Sequence, residues 1–286
     1  MTSLYWYAGL AVIGFGITAY AIYTKRHNYK ISTLVVFCLF ATSITWIGEF
    51  TVLGIFDSYA YKPGISTDPW AENLAGHLFL NASMFPAAAI LMVTNSLGYL
   101  GVSLIVTVFI LAEYLFEELG IYEHHWWKYY MSVINTVLFL VIVKKWFAKV
   151  KHARRTLSRV ITFYFVGFVI IHTPIPLLFL SGKQYYSLGL IENMVGNTCR
   201  ASIIFIFAYH LLELSIFVLF ICILDKWYWK IVPYVIAVLV QSIFAKMNIL
   251  VFLNGWKLIY SIIIYCICLT VFILIEKYTL RPDEQN

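Results

Sequence analysis

The sequence predicts an all-α fold, a polytopic transmembrane helical bundle of about nine helices, and three observations support this. Of the 286 residues, 62% are hydrophobic and only 12% are charged, and the mean hydropathy is +0.84. A soluble domain averages about half apolar and about one quarter charged residues, so the composition excludes that class. The apolar residues also form continuous runs of about 20, the length of a spanning helix, whereas barrel strands alternate over about ten residues.

Each predicted span is long enough to cross about 30 Å of hydrocarbon at 1.5 Å per residue. The first span is predicted to be an uncleaved helix, because Lys25, Arg26 and Lys30 follow it and no positive side chain precedes it. That charge order is the reverse of a secretory signal. In chain order the spans are 4–23, 31–56, 76–95, 97–119, 128–148, 159–181, 200–224, 228–246 and 257–277.

The distribution of positive charge predicts the orientation of these helices. With the N-terminus outside, fourteen of the 20 Lys and Arg residues lie in cytoplasmic segments, seven of them within 144–159. This excess follows the positive-inside rule and predicts a multi-pass protein of the cell membrane with a cytoplasmic C-terminus. Because orientation already explains the net charge of +6, the lipid bilayer is the predicted partner and nucleic acid is not. The oligomeric state is left open.

Three motifs recur in the same order and predict an internal duplication. The predicted organisation is an N-terminal helix with its inner loop at 1–30, and two four-helix repeats at 31–158 and 159–286, the second with a short cytoplasmic tail. Both repeats begin inside, so they would be parallel repeats of the kind found in some transporters. The motif pairs are Glu72-Asn73-x-x-Gly76 with Glu192-Asn193-x-x-Gly196, Glu113-x-Leu115-Phe116 with Gln241-x-Ile243-Phe244, and Trp127-Lys128 before Ser132 with Trp256-Lys257 before Ser261.

Polar side chains within the predicted spans, or just before the seventh of them, are the candidate functional residues. A charge at the centre of a span costs about 2.5–3.5 kcal/mol on insertion scales, so such residues point to function. Their positions along the spans predict that they converge in the outer half of the bundle, as a polar vestibule that opens outward. The candidates for binding a substrate or ion are Glu49, His77, Asn81, Glu113, Glu117, His172, Asn193, Asn197, Arg200, His210 and Glu213.

The spacing of some candidates indicates shared helix faces. Glu113 and Glu117 are four residues apart, and His210 and Glu213 are three apart, so each pair lies on one side of its helix. No cofactor is predicted, but a bound metal is left open, with His210, Glu213 and Glu113 as candidate ligands because His and Glu bind metals inside helical bundles. Two prolines, at 174 and 176, predict a break in the sixth span.

The segment between the fourth and fifth spans combines an acidic helix end, Gly120-Ile121-Tyr122, and Trp126-Trp127. Its aromatic residues suit an interfacial belt, and His124 and His125 are either solvated loop residues or a clamp for a metal or substrate. Over about 40 residues the pattern resembles uncharacterised multi-pass membrane proteins of spore-forming Gram-positive bacteria. Those proteins are about half this length, which would suit a duplicated unit, and the resemblance implies no activity.

Three functions remain compatible with the sequence. The favoured one is a transporter or permease for an ion or small solute, supported by the repeats, the broken sixth span and the polar cluster. The second is a membrane-embedded, metal-dependent enzyme acting on a lipid or apolar substrate, with Glu113, Glu117, His210 and Glu213 as acid–base candidates. The third is a membrane sensor or assembly protein. Whether the protein is an enzyme is left open, with transport favoured over catalysis.

Overall fold

The computed structural model describes residues 2–151, 157–224 and 226–280. The chain forms two compact units, residues 1–153 and 154–286. Within the described ranges, nine helices are long and apolar enough to span a membrane, so the predicted all-α, multi-pass membrane fold is confirmed. These spans cover Ser3–Lys25, Ile31–Ile55, Pro69–Thr94, Tyr99–Glu118, Tyr129–Val150, Leu157–Leu180, Thr198–Ile223, Trp227–Lys246 and Leu258–Tyr278.

The first unit is built from six helices and two short strands. Helix α2 continues into a π-helical segment, Phe50–Ile55, and the third span is divided between α3 and α4. The elements are α1 (Thr2–Lys25), α2 (Ile31–Glu49), β1 (Tyr59–Tyr61), α3 (Pro69–Asn81), α4 (Met84–Thr94), α5 (Tyr99–Glu118), β2 (Tyr122–His124) and α6 (Tyr129–Lys151).

Apart from α1, which has no counterpart, the second unit has the same order of spans and strands as the first, with one additional short helix, α9. A π-helical segment, Leu219–Ile223, extends α10, and a 3₁₀ turn, Trp227–Ile231, precedes α11. The elements are α7 (Leu157–His172), α8 (Pro174–Leu180), β3 (Gln184–Tyr186), α9 (Gly189–Val195), α10 (Thr198–Val218), α11 (Val232–Lys246), β4 (Leu250–Phe252) and α12 (Leu258–Tyr278).

The third span begins seven residues before the predicted start at residue 76. Asp68 is its N-cap, and the side chain accepts hydrogen bonds from the backbone N–H groups of Trp70 at 2.8 Å and Ala71 at 3.1 Å. Pro69 occupies the first helical position, where its missing N–H costs nothing. Hydropathy alone missed this start because the first turn of α3 contains polar residues that the fold buries.

The sixth span is interrupted where the prolines predicted a break. Helix α7 ends at His172 and α8 begins at Pro174, so the second half of the span is a separate helix. Proline removes a backbone donor and clashes with the preceding turn, which explains the interruption. The third span is also divided, but its break at Ala82–Ser83 lies ahead of Pro86.

The surface of α5 indicates its environment. Among its residues Val106 and Phe116 are buried, whereas Leu104 and Leu111 are 66% and 60% exposed. A helix with so much exposed apolar surface would be unfavourable in water but suits contact with lipid chains.

A close approach between α1 and α4 depends on one glycine. A Cβ atom at Gly14 would lie 2.7 Å from the carbonyl carbon of Ser83 and 2.9 Å from its oxygen. Backbone atoms cannot rotate away as a side chain can, so the helix axis would have to move. Small residues at such contacts allow membrane helices to pack backbone against backbone.

We expect Gly14→Ala to lower the melting temperature of the detergent-solubilised protein, because overpacking costs about 1–3 kcal/mol. Gly16→Ala is the matched control, since no atom lies within 4 Å of the position its Cβ would take. The measurement is thermal unfolding followed by intrinsic tryptophan fluorescence. Equal melting temperatures for the two variants would contradict the close contact.

Each unit carries one two-stranded antiparallel sheet that the sequence did not predict. In the first unit Tyr59, Ala60 and Tyr61 pair with His124, Glu123 and Tyr122. In the second unit Gln184, Tyr185 and Tyr186 pair with Phe252, Val251 and Leu250. The two sheets connect segments that are far apart in sequence. In the first unit, the sheet brings aromatic and titratable side chains to one end of the helices.

A buried ion cluster joins three elements of the second unit. Glu276, near the end of α12, accepts hydrogen bonds from Arg159 Nη2 at 2.6 Å and from Lys230 Nζ at 3.0 Å. Arg159 also donates to the backbone carbonyls of Glu276 and Leu280. A cation at this position satisfies carbonyls that have no partner within the helix and opposes the negative end of the helix dipole.

Candidate functional site

The first unit contains a cavity of about 130 Å³ between its helices and its two-stranded sheet. One water molecule needs about 10–15 Å³ of such volume, so the cavity admits a ligand of several heavy atoms. Its polar lining includes two carboxylates, and among the described residues that line it none is Lys, Arg or His. The lining comprises Leu10, Glu49, Tyr59, Tyr61, Leu80, Met84, Phe85, Phe109, Ala112, Glu113, Phe116, Tyr122, Trp127, Ser132, Asn135 and Thr136.

Glu49 lies at the end of α2, where the π-helical segment begins. Its Oε1 atom accepts a hydrogen bond from the Tyr61 hydroxyl at 2.7 Å, and Tyr59 hydrogen-bonds to the same carboxylate. Burial raises the pKa of Tyr59 and Tyr61 well above the ordinary value for tyrosine, and the negative charge of Glu49 raises it further. Both phenols therefore keep their protons and act as donors.

The position of Tyr61 is set by helix α3. The Tyr61 backbone N–H donates to Asn73 Oδ1 at 2.7 Å. Gly76, one turn further along α3, leaves the space that the Tyr61 side chain occupies, since any Cβ there would overlap it. The Glu72 carboxylate accepts hydrogen bonds from the backbone N–H groups of the loop before α3, including Ile65 at 2.6 Å. Buried polar groups at the start of α3 thus hold the two-stranded sheet and its tyrosines in place.

Glu113 and Glu117 are brought together on either side of one histidine. His124, in β2, has its Nε2 atom 2.6 Å from Glu113 Oε1 and its Nδ1 atom 3.0 Å from Glu117 Oε2. Each ring nitrogen of His124 thus lies within hydrogen-bonding distance of a carboxylate oxygen. The side chains of Glu113, His124 and Glu117 are 14%, 8% and 37% exposed.

A second set of hydrogen bonds orients Glu113 in the cavity wall. The Trp127 indole donates to Ser132 Oγ at 2.7 Å, and Ser132 in turn donates to Glu113 Oε1 at 2.8 Å. The hydroxyl of Tyr129 donates to Glu117 Oε2. Among the carboxylates that the structure describes, Glu113 alone both borders the cavity and contacts His124.

The second unit contains a separate buried polar group. The Nδ1 atoms of His172 and His210 lie 2.9 Å apart, so one ring donates and the other accepts. His210 is 1% exposed, and its Nε2 atom has no hydrogen-bond partner among the described residues. Glu213, one turn along α10, accepts hydrogen bonds from the hydroxyls of Tyr209 and Tyr265.

The three candidate metal ligands are divided between the units. Glu113 belongs to the first unit, and His210 and Glu213 belong to the second. In the described parts of the chain, no group of three or more His, Cys, Asp or Glu side chains has an arrangement that could hold a metal ion. A bound metal stays a prediction from the sequence.

The other candidates have local roles. Asn81 Nδ2 lies 3.1 Å from His77 Nδ1, and the Asn81 side chain also hydrogen-bonds to the Glu49 carboxylate. Asn197 is the N-cap of α10 and accepts a hydrogen bond from the Arg200 backbone N–H at 2.8 Å. Asn193 is exposed on α9. Of the candidates, only Glu49 and Glu113 border the cavity, with Glu117 connected to it through His124.

The tyrosines of the site were missed by sequence reasoning that looked for ionisable residues inside spans. Tyr59-Ala60-Tyr61 alternates in the way a strand does, and Asp57-Ser58 and Pro63-Gly64 flank it as turn residues. That signal predicts a short strand but not its partner. The sequence assigns Tyr122 and Trp127 to an interfacial belt, and the structure adds that both line the cavity.

The fold and the cavity define a multi-pass membrane protein with a carboxylate- and tyrosine-lined pocket. Comparison of the chain with protein-family models, with curated proteins and with solved structures found no match. The resemblance to proteins of spore-forming bacteria therefore stays a prediction from about 40 residues of sequence.

Proposed function

We propose that this protein is a permease for a small organic cation, an amine or quaternary ammonium ion, which binds in the cavity of the first unit. The observation that carries the proposal is Glu49, a carboxylate beside an aromatic and apolar cavity with no ion-pair partner among the described residues. Glu49 is half-buried, and a carboxylate withdrawn from bulk water is stabilised by a proton or a cation; the cavity beside it has room for a cation.

The remaining lining suits a cation that carries apolar groups. Tyr59, Tyr61, Tyr122 and Trp127 present aromatic rings, whose faces attract cations, and cages of such rings bind quaternary ammonium groups. Leu80, Phe85 and Phe109 supply the apolar part of the lining. A hydrated metal ion would gain little from these walls, whereas methyl groups on nitrogen would pack against them.

A test uses radiolabelled tetramethylammonium as the probe, first bound to the detergent-purified protein and then taken up into proteoliposomes. We expect saturable binding and uptake above that of protein-free liposomes. Methylammonium should compete, whereas tert-butanol, a neutral molecule of similar size, should not. Absence of binding would contradict the proposed ligand. Binding without uptake would contradict transport and favour the sensor hypothesis.

We also propose that the two units arose by duplication, which accounts for their shared order of elements. Two of the three sequence motifs support this. Trp256 donates to Ser261 at 2.9 Å as Trp127 does to Ser132 at 2.7 Å. In the second motif, the Phe116 carbonyl accepts a hydrogen bond from the Ile121 N–H at 3.0 Å, as the Phe244 carbonyl does from the Ile249 N–H at 2.9 Å. The third motif gives no support, because Gly76 lies inside α3 whereas Gly196 caps the short α9.

A further inference from the structure

We propose that the first unit binds an anionic phospholipid, whose headgroup lies in a second cavity at the opposite end of the unit from the cavity beside Glu49. This second cavity, which we call the basic cavity, has a volume of about 260 Å³, and the residues that border it include Tyr29, Ser96, Lys144 and Phe147. Tyr29 lies just before the start of α2, whereas Glu49 lies at its end, so the length of that helix separates the two cavities. Lipid binding there does not depend on the proposed transport of a cation.

Three segments of the chain meet around the basic cavity. They are the loop between α1 and α2, the connection between α4 and α5, and the last turns of α6. The rings of Tyr29 and Phe147 have centroids 5.5 Å apart, which joins the first segment to the third. Lys144 Nζ donates a hydrogen bond to the Leu97 carbonyl at 3.0 Å, which joins the third segment to the second. The cavity is therefore enclosed by parts of the chain that hold one another in place.

The charge of these three segments favours an anion. Residues 20–30, 91–98 and 144–150 contain six Lys and Arg residues and no Asp or Glu. The end of α4 contributes a partial negative charge of about half an elementary charge, which six positive side chains outweigh. Basic pockets between spanning helices are known to bind the headgroups of anionic lipids.

Lys144 and Ser96 supply the hydrogen-bond donors for a phosphate group. An ammonium group has three N–H donors, and the bond to Leu97 uses one, which leaves two with no partner among the described residues. Ser96 follows the end of α4 with a φ of 51°, a left-handed conformation that glycine adopts more easily. Serine at this position costs some stability relative to glycine, and it places a hydroxyl-bearing residue at the border of the cavity.

The surface beside the basic cavity favours a lipid as the source of the phosphate. Val141, about one turn before Lys144 on α6, is 41% exposed, and Leu138 is 55% exposed. On a spanning helix such side chains contact the acyl chains of lipids. A ligand with an anionic headgroup and acyl chains satisfies both the lysine and this apolar surface, whereas free phosphate would satisfy the lysine alone.

The test measures binding of radiolabelled dioleoyl phosphatidylglycerol to the full-length protein in mixed micelles of dodecyl maltoside and dioleoyl phosphatidylcholine. We expect saturable binding by the wild type and binding about fivefold weaker by Lys144→Gln, because one positive charge at the headgroup is lost. The matched control is Lys145→Gln, since Lys145 is exposed on the same helix and is not among the described residues that border the basic cavity. This control should bind the labelled lipid as the wild type does.

Equal weakening by Lys144→Gln and Lys145→Gln would overturn the proposal, because it would show attraction to the whole charged surface and not to a site. Displacement of the labelled lipid by millimolar glycerol phosphate would overturn the lipid as the ligand in favour of a free phosphate. Equal affinity for labelled phosphatidylcholine would overturn the requirement for a net negative headgroup.

Should Lys144→Gln not fold, Ser96→Gly provides a second test. This change removes the hydroxyl and suits the left-handed backbone, so the melting temperature should not fall. We expect binding of the labelled lipid to weaken about threefold, the usual effect of losing one hydrogen bond. Wild-type affinity in Ser96→Gly would then overturn the proposal.

Discussion

Replacing Glu49 with Gln is expected to weaken tetramethylammonium binding about 100-fold, because removing one member of a buried charge pair costs about 2–5 kcal/mol. Glu49 is the carboxylate of the cavity that has no described cationic partner, so its charge is available to the ligand. The amide oxygen of Gln still accepts the hydrogen bond from Tyr61, so the fold should be retained. The measurement is equilibrium binding of the labelled probe to the purified variant.

The control for this variant is Glu118→Gln, which removes the same charge from an exposed position on α5 that does not border the cavity. We expect its affinity for the probe to equal that of the wild type. If Glu49→Gln bound as tightly as Glu118→Gln, the negative charge of Glu49 would have no part in binding, and the proposed ligand class would be wrong.

Replacing Glu276 with Gln is expected to lower the melting temperature by about 10 °C, because an uncompensated buried charge costs about 3–5 kcal/mol and each kcal/mol shifts the midpoint by about 2–4 °C. Glu276 is 4% exposed and is the described anionic partner of both Arg159 and Lys230. The neutral amide would leave two cations near one another at the end of α12. Thermal unfolding in detergent measures the shift.

Two further variants separate charge from packing. Glu123→Gln removes the partner of Lys62 in an exposed ion pair, where the side chains are 48% and 53% exposed, and should change the melting temperature little. The double variant Arg159→Met, Glu276→Met removes the two most buried charges and leaves only Lys230, whose side chain is 19% exposed, without its partner, so it should be more stable than Glu276→Gln. A double variant as unstable as the single one would show that shape, not charge, decides stability here.

The two carboxylates of the site could be predicted from the sequence because charge inside an apolar span is rare. Glu49 and Glu113 stood out by that argument, and the structure places both at one cavity. Asn193 and Asn197 were candidates because they precede the seventh span, and they are exposed on α9 and the N-cap of α10. Hydropathy locates a residue along a helix but does not reveal which side of the helix faces its neighbours.

The sequence by itself determined the class of protein, the approximate spans and the break at Pro174, since each depends on residues adjacent in the chain. Only the tertiary structure decided that β1 pairs with β2, and hence that His124 lies between Glu113 and Glu117. Strand pairing joins segments more than 60 residues apart, and its energy comes from hydrogen bonds and packing that no local pattern records. The cavity, the tyrosine donors and the contacts of His124 with two carboxylates therefore arise from contacts between elements.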